Sequence, residues 1–526
     1  MSGSEPFSRE GQLQCLADAS EFDIVIVGGG ATGVGVAVDA ASRGYRALLC
    51  EQHDFGKGTS SRSTKLIHGG VRYLQRGNIG LVRESLRERQ LLINNAPHLV
   101  HPQAFVLPLH NWWESVYYRL GLKAYDLLAG RLGLGQSSRL SRQETLTELP
   151  TLRADRLRGG IRYLDGAFDD ARLLINLVQT AIEQGAICLN YLPVTELLRS
   201  GGKVVGVKAS DLHSKHQFDV GAKVVVNATG PFSDQICRLD DPQAPSQIAA
   251  SQGVHIVLER RFLPGDAALL IPKTVDGRVV FAIPWHDHTL VGTTDTPVDQ
   301  TLLEPVALPE EIDFLLDAIS GYLTLQPERS DVLSVFAGLR PLIKREGGAH
   351  TSKLQRDHQV RVSDSGLVTI VGGKWTTYRK MAADCVDQVA ILANLHRVAS
   401  TTASLPIHGA MRSPVPSRLS IYGSDRQMLA KLMKEDVKYT EQLDEALPYT
   451  VGEVIWAVRH EMAQSVEDVL ARRLRALMLN ARAALRSAPR VAQLLATELG
   501  HDPSWARAEV DRFQAVAQGY LATDEK

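Results

Sequence analysis

A short apolar strand over residues 24–27 runs straight into Gly28-Gly29-Gly30-Ala31-Thr32-Gly33. A helical stretch follows, and a second apolar strand over 47–50 ends at Glu51. From Phe22 to about Asn394 strand-like and helix-like periodicities keep alternating, which predicts an α/β fold. Residues 169–185 read as one helix, with acids at its start, Leu173, Leu174, Leu177 and Ile182 on one face, and Gly185 closing it. A strand over 187–191, a hairpin of 194–198 with 204–208, and a buried strand running from Lys223 into Asn227-Ala228-Thr229-Gly230 come next. The pattern divides the chain into a flexible tail (1–21), an α/β unit (22–397), a Ser/Thr/Pro-rich linker (398–418) and a helical domain (419–526).

The first segment is a dinucleotide-binding βαβ unit. Gly28 permits the tight turn, Gly30 lets backbone amides approach a pyrophosphate, and Gly33 lets the helix sit close to the strand. The helix N-terminus, with Ala31 and Thr32 in its first turn, faces the phosphates, and Glu51 is placed to accept hydrogen bonds from a ribose.

Composition narrows the class. Lys plus Arg (58) nearly balance Asp plus Glu (59), so no net field argues for nucleic acid. Five dispersed cysteines without metal spacing suggest reduced thiols in a cytoplasmic setting, and no metal site is expected. The polar N-terminus reads as no secretory signal, and no apolar run is long enough to span a bilayer.

Two further glycine-hydroxyl clusters extend the cofactor reading. In the first, Thr59, Ser60, Ser61, Lys65, His68, Gly69 and Gly70 follow the ribose acid; hydroxyls can bond phosphate oxygens, and Gly69-Gly70 lets a flat ring lie against backbone. In the second, a strand over 367–371 meets Gly372-Gly373-Lys374, then Thr376 and Thr377, which can cap a helix whose N-terminus would stabilise negative charge on a reduced flavin. The fingerprint and this late turn lie some 340 residues apart in the sequence. A single domain wrapped around an extended FAD explains that separation better than NAD does.

The stretches GTSSRSTKLIHGGVRYL, VVNATGPFSD, IPWHDHTLVGTTDT, FAGLRPL, GGKWTTYRKMAAD and AVRHEMAQSVEDVLARR together resemble FAD-dependent glycerol-3-phosphate dehydrogenase, over nearly the whole chain after the tail. The resemblance implies a D-amino-acid-oxidase-like FAD-binding Rossmann-like domain, an inserted sheet-containing substrate domain and a C-terminal all-α domain. It implies oxidation of glycerol 3-phosphate, electron transfer to a membrane quinone, peripheral attachment to the inner membrane from the cytoplasmic side, and a homodimer. By position it assigns Arg72, Tyr73, Thr294, Asp295 and Arg356 to substrate, and His255, Arg340 and Lys374 to catalysis. It adds Gln52, Val194, Ala228, Gly230 and Gly373 to the cofactor contacts. The charge is coherent: a phosphate monoester calls for guanidinium forks and an ammonium, and a secondary alcohol needs a group to take its hydroxyl proton, for which His255 is the choice and Arg340 the rival. The same motifs serve an oxidase that passes electrons to oxygen, and an FAD-binding protein whose flavin is structural.

Two departures stand out. Gln252 occupies a position where members of that family often have Lys, and no D-x-D-x-D-G calcium loop occurs near the C-terminus. The aromatic stretch from Asn111 to Leu128, with Arg119, Lys123, Arg131, Arg139 and Arg142 around it, has the composition of an interfacial helix. Arg472, Arg473 and Arg475 read as a solvated helix face.

Overall fold

In a computed structural model, residues 7–69, 78–272, 274, 277–344, 358–411 and 417–522 are described. The first sheet is built on the strand Phe22–Val27, buried at all six positions. It pairs in parallel with Ala47–Cys50 on one side and Gln217–Asn227 on the other. The full order runs 358–362, 368–372, 217–227, 22–27, 47–50, 187–189, with the 194–200 and 203–210 strands extending from the 217–227 strand. The chain leaves strand 22–27 between two neighbours that continue in opposite directions. Such a switch point opens a crevice at the carboxyl ends of the strands. Val27, Cys50, Ala228 and Gly372, at or just past those ends, line one cleft.

The helix Ala31–Ser42 covers one face of this sheet, together with Asp170–Glu183 and Tyr378–Leu392; Val34, Val38, Leu173, Leu177, Val386 and Val389 fill the layer between. The Asp170–Glu183 helix is capped by Asp169, as the sequence pattern predicts.

The second sheet has ten strands. Its functional pair is Ile248–Glu259 with Ser334–Ile343, antiparallel over ten registered positions, with His255 opposite Phe336 and Ser251 opposite Arg340. This pair reaches back to the first domain through Thr59, whose hydroxyl donates to the Leu339 carbonyl.

Three expectations change. The tail is not loose: Arg9–Asp18 is a helix capped by Ser8, and Arg9 donates to the Asn190 carbonyl and to Asp211. Its partners lie about 200 residues away, out of reach of any local pattern. Of the expected linker, residues 398–411 lie against the first domain rather than in solvent. Ile407 joins its core, and the Ser400 and Thr402 hydroxyls bond Asp39. The C-terminal region also contains a small hairpin, Gln442–Asp444 with Leu447–Thr450, among its helices. Its core is continuous with the second sheet, since Val257, Trp285, Leu290 and Phe336 pack among Tyr449, Trp456 and Leu477.

Candidate active site

The cleft at the switch point has about 1200 Å³ of free space, a figure that takes in open solvent at its mouth. One end is the glycine turn. Gly28 has φ +110°, and a Cβ there would stand 2.8 Å from the Ala228 carbonyl oxygen. Gly30 caps the 31–42 helix without any side-chain bond, and Ala31 N–H donates to Ser60 Oγ. Apart from the Ala31 amide, which Ser60 takes, the helix start turns its amides and its positive dipole end to the cleft with no capping side chain from Gly30. Glu51 closes this end: its Oε2 accepts from Gly29 N–H at 2.6 Å and its Oε1 from His53 N–H at 2.8 Å. Burial raises the Glu51 pKa, and the two amide bonds oppose it. Each oxygen keeps a second lone pair for a sugar hydroxyl.

The other end is the turn Gly372-Gly373, both with positive φ, followed by a 3₁₀ turn at Trp375–Thr377 and the helix Tyr378–Leu392. Lys374 lines the cleft here and donates to Ser85 Oγ at 2.6 Å; Trp375 Nε1 donates to the Ser60 carbonyl, tying the two ends together. Two uncapped helix starts, a ribose acid and an elongated wall of glycines fit an FAD. Gly28, Gly30, Ala31, Thr32, Glu51, Gln52, Thr59, Ser60, Val194, Ala228, Gly230 and Gly373 all line the cleft.

Neither Arg340 nor His255 is part of the cleft lining itself. Arg340 donates to Asp295, to Thr293 Oγ1, and to the backbone carbonyls of Thr294 and Gln252. Its neighbour Pro341 lines the cleft. His255 stacks on Phe336 at 5.0 Å, and its Nε2 lies 2.9 Å from Thr64 Oγ1. Burial pushes its pKa well below the ordinary value, and the charges of Lys65 and Arg340 push the same way. The ring is neutral at physiological pH.

Residues 23–379 match the family described as FAD dependent oxidoreductase, and residues 367–506 match the C-terminal domain of alpha-glycerophosphate oxidase. The chain is 40% identical over 561 residues to mitochondrial glycerol-3-phosphate dehydrogenase of Rattus norvegicus, covering 99% of this chain and 77% of that protein. It is 39% identical to the mitochondrial enzyme of Arabidopsis thaliana, over 98% and 89% of the two chains. The fold matches glycerol-3-phosphate dehydrogenase from Bacillus halodurans, solved with FAD, at a TM-score of 0.80, 30% identity and 98% coverage of both chains. The chain belongs to the FAD-dependent glycerol-3-phosphate dehydrogenase family.

In this dehydrogenase-family chain several expected contacts lie elsewhere. Lys65 does not reach the cleft: its ammonium sits 2.8 Å from both Asp170 oxygens, bonds the Ser61 carbonyl, and is 1% exposed. It holds the loop that carries Thr64, since Asp170 also accepts from Ser63 N–H and Oγ–H. Thr294 is turned into the second sheet, donating to Glu311 and accepting from Val254 N–H. Asp295 is the partner of Arg340 and of Ser251. A carboxylate there orients the guanidinium and offers a phosphate nothing. Gly33, Ser61, His68, Gly69, Thr376 and Thr377 lie outside the cleft lining. Gly33 acts by packing, Gly69 N–H donates to Asp165, and Thr377 Oγ1 turns back to the Lys374 carbonyl. Gln252 is buried and donates to Glu311 and the Val306 carbonyl. Gly70, Arg72, Tyr73 and Arg356 lie outside the described residues.

Sequence reasoning missed Thr64 and Ser85, the partners of His255 and Lys374. Thr64 sits inside a motif already singled out, so its hydroxyl was a findable signal; Ser85 carries none. The Lys65 pair gives a direct expectation. Lys65→Met leaves Asp170 charged and buried, and should cost about 3–5 kcal/mol of unfolding free energy. A denaturant titration of the full chain reads this; an unchanged midpoint would contradict the ion pair.

Proposed function

We propose that this protein oxidises sn-glycerol 3-phosphate to dihydroxyacetone phosphate and passes the electrons to a membrane quinone. The observation that carries the reading is the position of Arg340 and His255. Arg340 packs against Gly253 and directly precedes the cleft-lining Pro341, His255 follows two residues after Gly253 on the same strand, and Lys374 lines the cleft wall.

Arg340 and Lys374 hold the phosphate, joined by Arg72, Tyr73 and Arg356. Asp295 fixes the Arg340 fork, so the guanidinium meets the substrate already oriented. With Nε2–H donating to Thr64, Nδ1 of His255, which is buried and has no hydrogen-bond partner among the described residues, is the nitrogen left to take the substrate hydroxyl proton. Bound FAD supplies the acceptor for the carbinol hydride.

The helix Trp112–Ala129 is the proposed membrane contact. Val116, Leu120 and Leu127 are exposed along one stripe, with Lys123 among them. No helix among the described residues is long and apolar enough to cross a bilayer. The proposal includes a homodimer on the cytoplasmic face, to be checked by light scattering of the detergent-free protein.

One experiment separates the parts. Anaerobic mixing with glycerol 3-phosphate should bleach the flavin absorbance, and quinone-loaded vesicles should restore it. Leu120→Glu with Leu127→Glu should slow restoration by vesicles while leaving bleaching intact. Absence of bleaching would leave only a structural flavin. Restoration by oxygen with stoichiometric peroxide, and not by vesicles, would make the protein an oxidase.

A further inference from the structure

Arg472 and Arg473 are fully buried, although they were expected on a solvated face. They belong to a π-helical turn, Asp468–Arg473, in the C-terminal region. Their target is Asp54, more than 400 residues earlier and 0% exposed. Arg472 Nε donates to Asp54 Oδ2 at 2.5 Å; Arg473 Nη1 and Nη2 donate to Oδ2 and Oδ1 at 2.6 and 2.9 Å. Asn190 adds a fourth bond at 3.1 Å and itself accepts from Arg9 of the N-terminal helix. Arg472 also holds Glu467 and Asp468, and Glu467 holds Lys57, which lines the cofactor cleft.

Asp54 sits three residues after Glu51, in the loop that wraps the ribose end of the cleft. Backbone amides make that loop one unit with the glycine turn: His53 N–H donates to the Glu51 carboxylate, Gly56 N–H to the Gly29 carbonyl, and Lys57 N–H to the Asp54 carbonyl. Phe55, 1% exposed, packs against Gly29. A displacement of Asp54 therefore moves Glu51 and the phosphate turn together.

An apolar interface already joins the C-terminal region to the rest of the chain. It needs no buried charges to adhere, and such charges add geometry more readily than stability. A bidentate fork fixes both distance and angle. We infer that the C-terminal region is a positioning element for the cofactor: Arg472 and Arg473, acting through Asp54, set the loop that aims Glu51 at the ribose. They are positioning residues, since neither lines the cleft. The inference rests on Glu51 as the ribose acceptor.

The test follows FAD release from the full-chain holoenzyme by flavin fluorescence, and ADP affinity of the same chain after flavin removal. ADP carries only the ribose-pyrophosphate half of the cofactor. Arg473→Lys keeps the charge and loses the fork; Asp54→Asn keeps the shape and loses the charge. Each should speed FAD release and weaken ADP by about 10- to 100-fold, the range seen when an outer partner of a ligand-holding group is removed. Arg418→Met breaks an ion pair with Glu453 that touches no cofactor loop. It should lower the melting temperature and leave both readouts alone. Should Asp54→Asn fail to fold, Arg473→Lys carries the test. Unchanged FAD release and ADP affinity in Arg473→Lys, with both altered in Glu51→Gln, overturn the inference and keep the ribose reading. If Glu51→Gln is also silent, both fall.

Discussion

Gly33→Ala is expected to strip the protein of FAD. The glycine stands in the first turns of the 31–42 helix, directly over the turn that precedes it. A Cβ there would be driven into the Gly28 carbonyl oxygen, and it would also meet Ala228 Cβ at 3.3 Å. The first obstacle is backbone, so no side chain can swing aside. Nor can Gly28 yield, because its own φ of +110° is already set by the approach to Ala228. The helix must lift off the strand, which withdraws its amides from the pyrophosphate. Overpacking of this kind costs about 3 kcal/mol, or roughly 100-fold in affinity. Flavin absorbance per chain after gel filtration reads the result. A variant that kept its full flavin would mean that close helix–strand packing is not what builds the phosphate site.

This position illustrates what was legible in the sequence. Gly28, Gly30, Gly33 and Glu51 act through local geometry, so their spacing carries their role. The strand-helix-strand unit and the late Gly372-Gly373 turn were readable for the same reason. Lys65 and Thr294 were misplaced because a polar residue in a cofactor-side loop looks alike whether it faces the cleft or the core. The difference is made by Asp170 and Glu311, carboxylates supplied by other elements. Arg472, Arg473 and Arg475 were least readable of all. A run of arginines is normally solvated; their burial is met in part by the nearby Glu467 and Asp468 and in part by Asp54 and Asp169, which arrive from far earlier in the chain. The N-terminal helix follows the same rule, since Arg9 finds Asp211 only in the folded protein. Sequence spacing thus locates the cofactor, whereas the ionic contacts that hold its loops in place are nonlocal.

The second large effect concerns the proton. His255→Ala should lower kcat by about 10²- to 10⁴-fold, the usual contribution of a positioned general base. The KM for glycerol 3-phosphate should change little, since Arg340 and Lys374 remain. The pH profile gives the more specific readout. Burial first, then Lys65 and Arg340, hold the native ring pKa well below its ordinary value of about 6.5. The base is therefore in its active, neutral form throughout the physiological range, and kcat/KM should fall only on the acid side, well below pH 6.5. The alanine variant should lose that acid limb along with the rate. Stability follows the same sign. Below about pH 6.5 the unfolded chain binds a proton that the native ring does not, so this group makes the fold less stable as pH drops. The contribution is absent above that pH, and His255→Ala should remove it. Thr64→Val keeps the imidazole and loses only its hydroxyl partner; it should retain the acid limb at reduced rate. If His255→Ala instead kept both rate and limb, the proton would have to leave without an imidazole. Arg340 would then act alone, lowering the pKa of the substrate hydroxyl by its charge.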